Sequence, residues 1–276
     1  AALKEQPQAL QSLTKLLLMF NKIGDKGMKH LSEALQYLPK LTTLNLYRNQ
    51  IGDKGMEYLS KALQYLPKLT TLNLSSNKIG DDSMKHLSAA LKLESESLPI
   101  LEKLDLSENQ IGNDGIKHLS AALKLESEPL PKLKILDLSK NQIGNDGIKH
   151  LLEALKLESE PLPKLEILDL SKNQIRGEGL RYLADELKKK QPSFLRLLMT
   201  MRIEHNFIND MSKWYFFYVI EALGLGNQFV ENQAFIRSFS PQYYEENEED
   251  KVLEAANVRD SLNNPADASN EQGATN

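Results

Sequence analysis

An asparagine that returns at a nearly fixed interval constrains this chain more than any other feature. Asn21, Asn49, Asn77, Asn109, Asn141, Asn173 and Asn206 are separated by 28, 28, 32, 32, 32 and 33 residues. Each closes a copy of one motif. Leu41 to Asn49 reads Leu-Thr-Thr-Leu-Asn-Leu-Tyr-Arg-Asn, and Leu69 to Asn77 reads Leu-Thr-Thr-Leu-Asn-Leu-Ser-Ser-Asn. A seventh, degraded copy runs Leu198-x-x-Met201-x-Ile203-x-x-Asn206-x-Ile208. Self-similarity at such a period marks a stacked array in which no unit buries its apolar face alone.

One unit can be built from its residues. Leu-x-x-Leu-x-Leu puts alternate leucines on one face of a short strand. A buried Asn at the turn can satisfy backbone groups with its amide. Ile-Gly-Asp-Lys-Gly then opens a helix, with Asp25, Asp53 or Asp81 placed to cap it. Met28, Leu31 and Leu35 form one apolar helical stripe. Pro39, Pro67, Pro99, Pro131, Pro163 and Pro192 stop the helix and bias the preceding residue to extended geometry. The unit is strand, turn, helix, proline.

This pattern resembles the leucine-rich repeat, and its length resembles the ribonuclease-inhibitor type. The resemblance implies an α/β fold: a right-handed horseshoe solenoid with parallel strands on the concave face and helices on the convex face. Seven repeats then cover 13–223. Residues 1–12 are a cap or a truncated repeat, 224–244 an aromatic C-terminal cap, and 245–276 an acidic disordered tail. Of 18 aromatic residues, 11 lie between Phe207 and Tyr244, where they either seal the open end of the core or form a second binding surface. The four residues added to the third, fourth and fifth units read as a longer helix or rim. Glu94, Glu96, Glu126, Glu128, Glu158 and Glu160 there are either a tolerated insertion or an acidic edge for a partner.

Composition removes several chemistries. With no cysteine, the chain has no disulfide, no Cys-ligated zinc and no thiol nucleophile. The net charge of −4 is uneven: residues 241–276 hold nine acidic and two basic residues, leaving +3 on the first 240, too little to suggest nucleic acid. No apolar run approaches the ~18 residues of a membrane span. Four of the five histidines (His30, His86, His118, His150) repeat one helix position, too far apart for zinc. Asp105, Asp137 and Asp169 stack as a like-charge ladder with no nucleophile, base or oxyanion donor beside it, so they suit recognition of a basic partner better than catalysis. There is no phosphate loop and no nucleophile elbow. The reading is of a monomeric, non-enzymatic protein without cofactor or metal.

The non-leucine strand positions face the concave side and are the expected partner-binding residues. They are Lys15, Leu17, Met19 and Phe20 in the first unit, and Asn45, Tyr47 and Arg48 in the second. The third contributes Asn73 and Ser75, and the fourth Lys103, Asp105 and Glu108. Asp137 and Lys140, Asp169 and Lys172, and Arg202 and Glu204 follow. The wall grades from apolar and aromatic, through small and acidic, to mixed charge. Leu17, Met19, Phe20 and Tyr47 are either covered by the N-terminal segment or anchor a partner.

In the family this resembles, such repeats mostly bind other proteins through the concave face or rim. Nearly identical units, absent cysteine and the block Glu245-Glu-Asn-Glu-Glu-Asp250 together look like leucine-rich-repeat effectors of intracellular bacterial pathogens, whose acidic C-terminal segments serve as type IV secretion signals. That resemblance implies a host protein as partner and an intracellular site of action in the host cytoplasm. An alternative is a regulator resembling the GTPase-activating protein of the GTPase Ran, with Arg176 as an exposed loop arginine near phosphate.

Overall fold

The computed structural model describes residues 11–92, 98–124, 130–155, 162–189 and 201–223. Among the described residues seven strands alternate with seven α-helices: β1 (Lys15–Leu17), α1 (Gly24–Leu35), β2 (Thr43–Asn45), α2 (Asp53–Ala62), β3 (Thr71–Asn73), α3 (Asp81–Leu91), β4 (Lys103–Asp105), α4 (Asn113–Leu123), β5 (Ile135–Asp137), α5 (Asn145–Leu155), β6 (Ile167–Asp169), α6 (Gly177–Lys188), β7 (Met201–Arg202) and α7 (Asp210–Ala222). The strands form one parallel sheet in sequence order. Register keeps equivalent residues side by side, as in Leu16–Leu44–Leu72–Leu104–Leu136–Leu168. Parallel strands stand about 4.8 Å apart, whereas packed helices need about 8–10 Å. The helical wall is therefore the longer one, and the stack bends with the sheet inside.

The leucines of the motif are the core. Leu41, Leu44, Leu46 and Ile51 from the second unit are fully buried with Met56 and Leu59 of α2, and the same columns continue through the later units. Each such side chain contributes roughly 1.5–3 kcal/mol on burial. In the first unit the equivalents Leu13, Leu16, Leu18, Ile23 and Leu31 are partly buried and pack against the core. At the other end Phe216, Val219 and Ile220 of α7 are buried, and Tyr215, Phe217 and Tyr218 pack against the core.

The recurrent asparagine links units. Asn77 Oδ1 accepts from Asn49 N and Ile51 N, both at 3.0 Å. Its Nδ2 donates to Leu46, Leu74 and Ser75 carbonyls at 2.9–3.1 Å. Asn109, Asn141, Asn173 and Asn206 repeat the pattern. The ladder breaks at its start. Gly24, at φ 56, donates its N–H to Asn49 O at 2.9 Å, Gln50 takes φ 61, and buried Asn49 Oδ1 has no hydrogen-bond partner among the described residues. Among the described residues Gln50 alone of its column is left-handed.

Three local expectations change. The helix-opening aspartate does not cap its own helix; Asp25 Oδ1 accepts from Gly52 N at 2.8 Å and Gly55 N at 3.0 Å, at the start of the next unit's helix. The 32-residue units do not lengthen their helices by a turn, since α3, α4 and α5 have 11 residues each, against 12 in α1 and 10 in α2. Their extra residues, with Glu94, Glu96, Glu126, Glu128, Glu158 and Glu160, lie outside the described residues. The helices also end before the prolines, α1 at Leu35 ahead of Pro39, so proline shapes the turn into the next strand rather than terminating the helix. The expected segments 1–12 and 224–244 and the tail 245–276 fall, apart from Gln11 and Ser12, outside the described residues.

Candidate functional site

The inner wall is made of side-chain columns, each set by one strand position. Lys15, Thr43, Thr71, Lys103, Ile135 and Ile167 lie in register, and so do Leu17, Asn45, Asn73, Asp105, Asp137 and Asp169, with Arg202 closing that row. A further column follows the strands: Phe20, Arg48, Ser76, Glu108, Lys140, Lys172 and His205 all take φ between 53° and 60°. None is glycine, so each carries the steric cost of a left-handed residue, about 1–2 kcal/mol. From Phe20 to Lys172 the conformation points each N–H at the next unit, as in Arg48 N to Ser75 O at 3.0 Å and Lys172 N to Glu204 O at 2.9 Å. These bonds hold a rigid rim of varied side chains along the sheet.

At the N-terminal end the wall is apolar and cationic. Leu17 is 54%, Met19 38% and Phe20 64% exposed, three of the six large exposed hydrophobic residues among those described. Phe20 meets Tyr47 edge to face at 5.0 Å between centroids. The Arg48 guanidinium lies 5.8 Å from the Phe20 ring centre.

The middle of the wall is acidic but partly closed on itself. Asp105 is buried, as is Ser75. Asn73 Nδ2 donates to Asp105 Oδ2 at 3.2 Å, and the Ser107 hydroxyl donates to Asp105 Oδ1 at 2.7 Å. Burial pushes the Asp137 carboxyl up; hydrogen bonds from Ser139 oppose that, and the flanking Asp105 and Asp169 add to it. Asp169 pairs with Arg202 at 3.6 Å. Along the rim, Glu108 accepts from Lys140 and from the Ser76 hydroxyl, which holds its carboxyl below the usual range and raises the Lys140 ammonium. These contacts join the third, fourth and fifth units across the face.

The sequence places the other expected residues on this wall as well. Asn45 is half-buried with Oδ1 accepting from Tyr47 N at 3.0 Å. Lys103 and Glu204 are half-buried, and Lys172 and Arg202 are exposed. Arg176 lies off the wall, at the start of α6, where its N–H donates to Asn145 Oδ1 at 2.9 Å. Among the described residues no group of three potential metal ligands converges, and no described helix is long and apolar enough to cross a membrane.

The far end carries a polar cluster that the sequence does not announce. Lys188 Nζ donates to Tyr215 Oη at 2.6 Å, and that hydroxyl donates to Asp185 Oδ1 at 3.0 Å. Burial pushes the Tyr215 hydroxyl up. At Lys188 burial opposes the charge, but Tyr215 and Asp185 hold its ammonium above the usual value. Tyr182 on α6 is pushed up to about 12 by burial and by Glu186. Trp214 stacks on Tyr218 at 5.7 Å.

A family model described as "Leucine Rich repeat" matches residues 9–32, 37–60, 65–88, 97–120, 130–152 and 162–184, a little over half of the chain. Among solved structures the chain is similar to one described as "Leiomodin-1 Actin-Binding Site 2 (ABS2)", with 14% identity over 59% of this chain and 94% of that one, at a TM-score of 0.40. No curated protein matches the chain.

Proposed function

The chain belongs to the leucine-rich-repeat family, and we propose that it is a non-enzymatic module that grips a partner protein on its concave wall. Leucine-rich repeats suggest a protein-interaction role, and the observation that carries it to this wall is the exposure of Leu17, Met19 and Phe20 at positions pointing away from the core. Apolar side chains grouped in water beside an arginine have the composition of an interface hot spot. A wall rigidified by inter-unit hydrogen bonds also loses little conformational freedom on binding.

The finer reading is a bacterial effector acting on a host protein, with the ribonuclease-inhibitor-type repeat as its scaffold. What supports it is the near identity of the units, the absence of cysteine and the acidic block Glu245 to Asp250. The test of the module is affinity capture from eukaryotic cell extract on the full chain. Capture of a specific protein that is lost in Tyr47→Ala/Arg48→Ala and in Asp137→Lys, and kept in the helix-face variant Lys117→Glu, is the expected result; capture indifferent to both wall variants overturns it. Delivery into host cells should fail when residues 241–276 are deleted, and delivery that survives removes the effector reading.

A further inference from the structure

We propose that the first two units bind an acidic, apolar segment of the partner protein, with an aliphatic or aromatic side chain seated on Leu17, Phe20 and Tyr47 and an adjacent carboxylate held by Arg48 and Lys15. The proposal rests on the concave wall being the binding face and adds the chemistry of what binds there.

Three observations converge on it. The first is apolar area: Leu17, Met19 and Phe20 are exposed within one unit, and Phe20 is braced edge-on by Tyr47 in the next. The second is uncompensated charge. Among the described residues Lys15 and Arg48 form no ion pair, and the Arg48 guanidinium lies 5.8 Å from the Phe20 ring centre. The acidic residues of the wall begin two units on, where Glu108 is already held by Lys140 and Ser76 and Asp105 by Asn73 and Ser107. Arg48 reaches Glu108 only through space. The third is preorganisation: Arg48 and Phe20 sit in left-handed backbone fixed by N–H bonds to Ser75 O and Tyr47 O, both at 3.0 Å.

The charge pattern fixes the sign of the occupant. A guanidinium presents paired donors that fit a carboxylate, and a cation beside an aromatic ring leaves an acidic group as its complement. A basic segment would meet Lys15 and Arg48 head on. An acidic one is excluded further along, where Asp105, Asp137 and Asp169 stand in register.

The fold tolerates the variants that test this. The column holding Phe20 and Arg48 carries Ser76 and Glu108 in equivalent backbone, so Phe20→Ser and Arg48→Glu keep residues that the same position already accepts. The probe is a fluorescein-labelled peptide Gly-Glu-Glu-Phe-Glu-Leu-Glu-Gly, with its lysine counterpart as control, titrated by anisotropy against the full chain. The acidic peptide should bind. Arg48→Glu and Phe20→Ser should each weaken it at least ten-fold with unchanged thermal melting, and Lys15→Glu/Arg48→Glu should bind the lysine peptide instead. Absence of binding, equal binding of both peptides, or indifference to Arg48→Glu overturns the proposal. So does binding that appears only when Glu245, Glu246, Glu248, Glu249 and Asp250 are made neutral, which would assign the patch to the chain's own Tyr243–Asp250 segment. Self-association abolished by Arg48→Glu would assign it to a second copy and equally overturn the proposal. If the peptide fails while Asp137→Lys still loses the captured protein, only the partner class is wrong; if both fail, the concave reading falls with it.

Discussion

The Asp81 carboxylate reaches across a repeat boundary to cap the helix containing Gly115: its Oδ1 accepts from Gly112 N at 2.7 Å and from Gly115 N at 2.8 Å. Asn113 does the same for Gly144 and Gly147, and Asn145 for Arg176 and Gly179. A cap normally belongs to its own helix. Here it belongs to the neighbour, so it fixes the stacking of units as well as the helix start.

Replacing Asp81 with Ala should therefore cost about 1–2 kcal/mol, the usual loss for a helix cap, read by urea denaturation of the full chain. The glycine it serves is equally constrained, because a Cβ on Gly115 would lie 2.6 Å from Asp81 Oδ1 and 2.9 Å from Ile111 Cγ2. In the third unit the equivalent residue is Ser83, whose hydroxyl donates to Asp53 Oδ1. Gly115→Ser should accordingly destabilise less than Gly115→Ala, the reverse of the order expected from side-chain size.

The asparagine ladder predicts a gradient along the array. Asn141 Nδ2 donates to the Leu106, Leu138 and Ser139 carbonyls and its Oδ1 accepts from Ile111 N. Asn141→Ala leaves the Ile111 N–H buried and unpaired, at about 1–3 kcal/mol before relaxation, while the three carbonyls keep second donors in Asn109 Nδ2, Asn173 Nδ2 and Glu108 N. Among the described residues Asn49 Oδ1 has no partner, so Asn49→Ala should cost measurably less than Asn141→Ala when their unfolding free energies are compared under the same conditions.

Asp137 makes the wall sensitive to pH. Its folded pKa is raised, first by burial and also by Asp105 and Asp169. A raised carboxylate destabilises the folded state once both states are ionised, and the penalty disappears as pH falls through the folded value into the ordinary aspartate range. Asp137→Asn should thus be more stable than the parent at neutral pH, with the gap closing on acidification. Asn73 in the same column shows that the amide fits, accepting from Ser75 N at 2.9 Å. A gap that widens in acid would refute the assignment.

The far end should depend on two residues of α7 for different reasons. Phe216 is fully buried, and Phe216→Ala should cost about 3–5 kcal/mol through the cavity left behind. Tyr215→Phe keeps the ring and removes the hydroxyl bonded by Lys188 and bonding Asp185; about 1 kcal/mol is expected from the lost hydrogen bonds. Thermal melts of the two variants separate packing from polar anchoring.

A parallel ladder of seven strands in sequence order and the buried leucine columns were legible in the primary structure. Each unit packs mainly on its neighbours, so a local motif repeated along the chain already carries the global register. What the motif could not reveal depends on the adjacent unit. Asp25 and Asp81 read as caps for their own helices, and only stacking puts the next unit's N–H groups within reach. The left-handed rim from Phe20 to His205 contains no glycine to signal it, because the conformation is stabilised by carbonyls one unit away. Asp105 and Leu17 occupy the same column, yet one is 8% and the other 54% exposed. Sequence determines which side chains point to the inner wall; the neighbours that tertiary packing supplies decide which of them remain in contact with water, since burial is a property of the surroundings rather than of the residue.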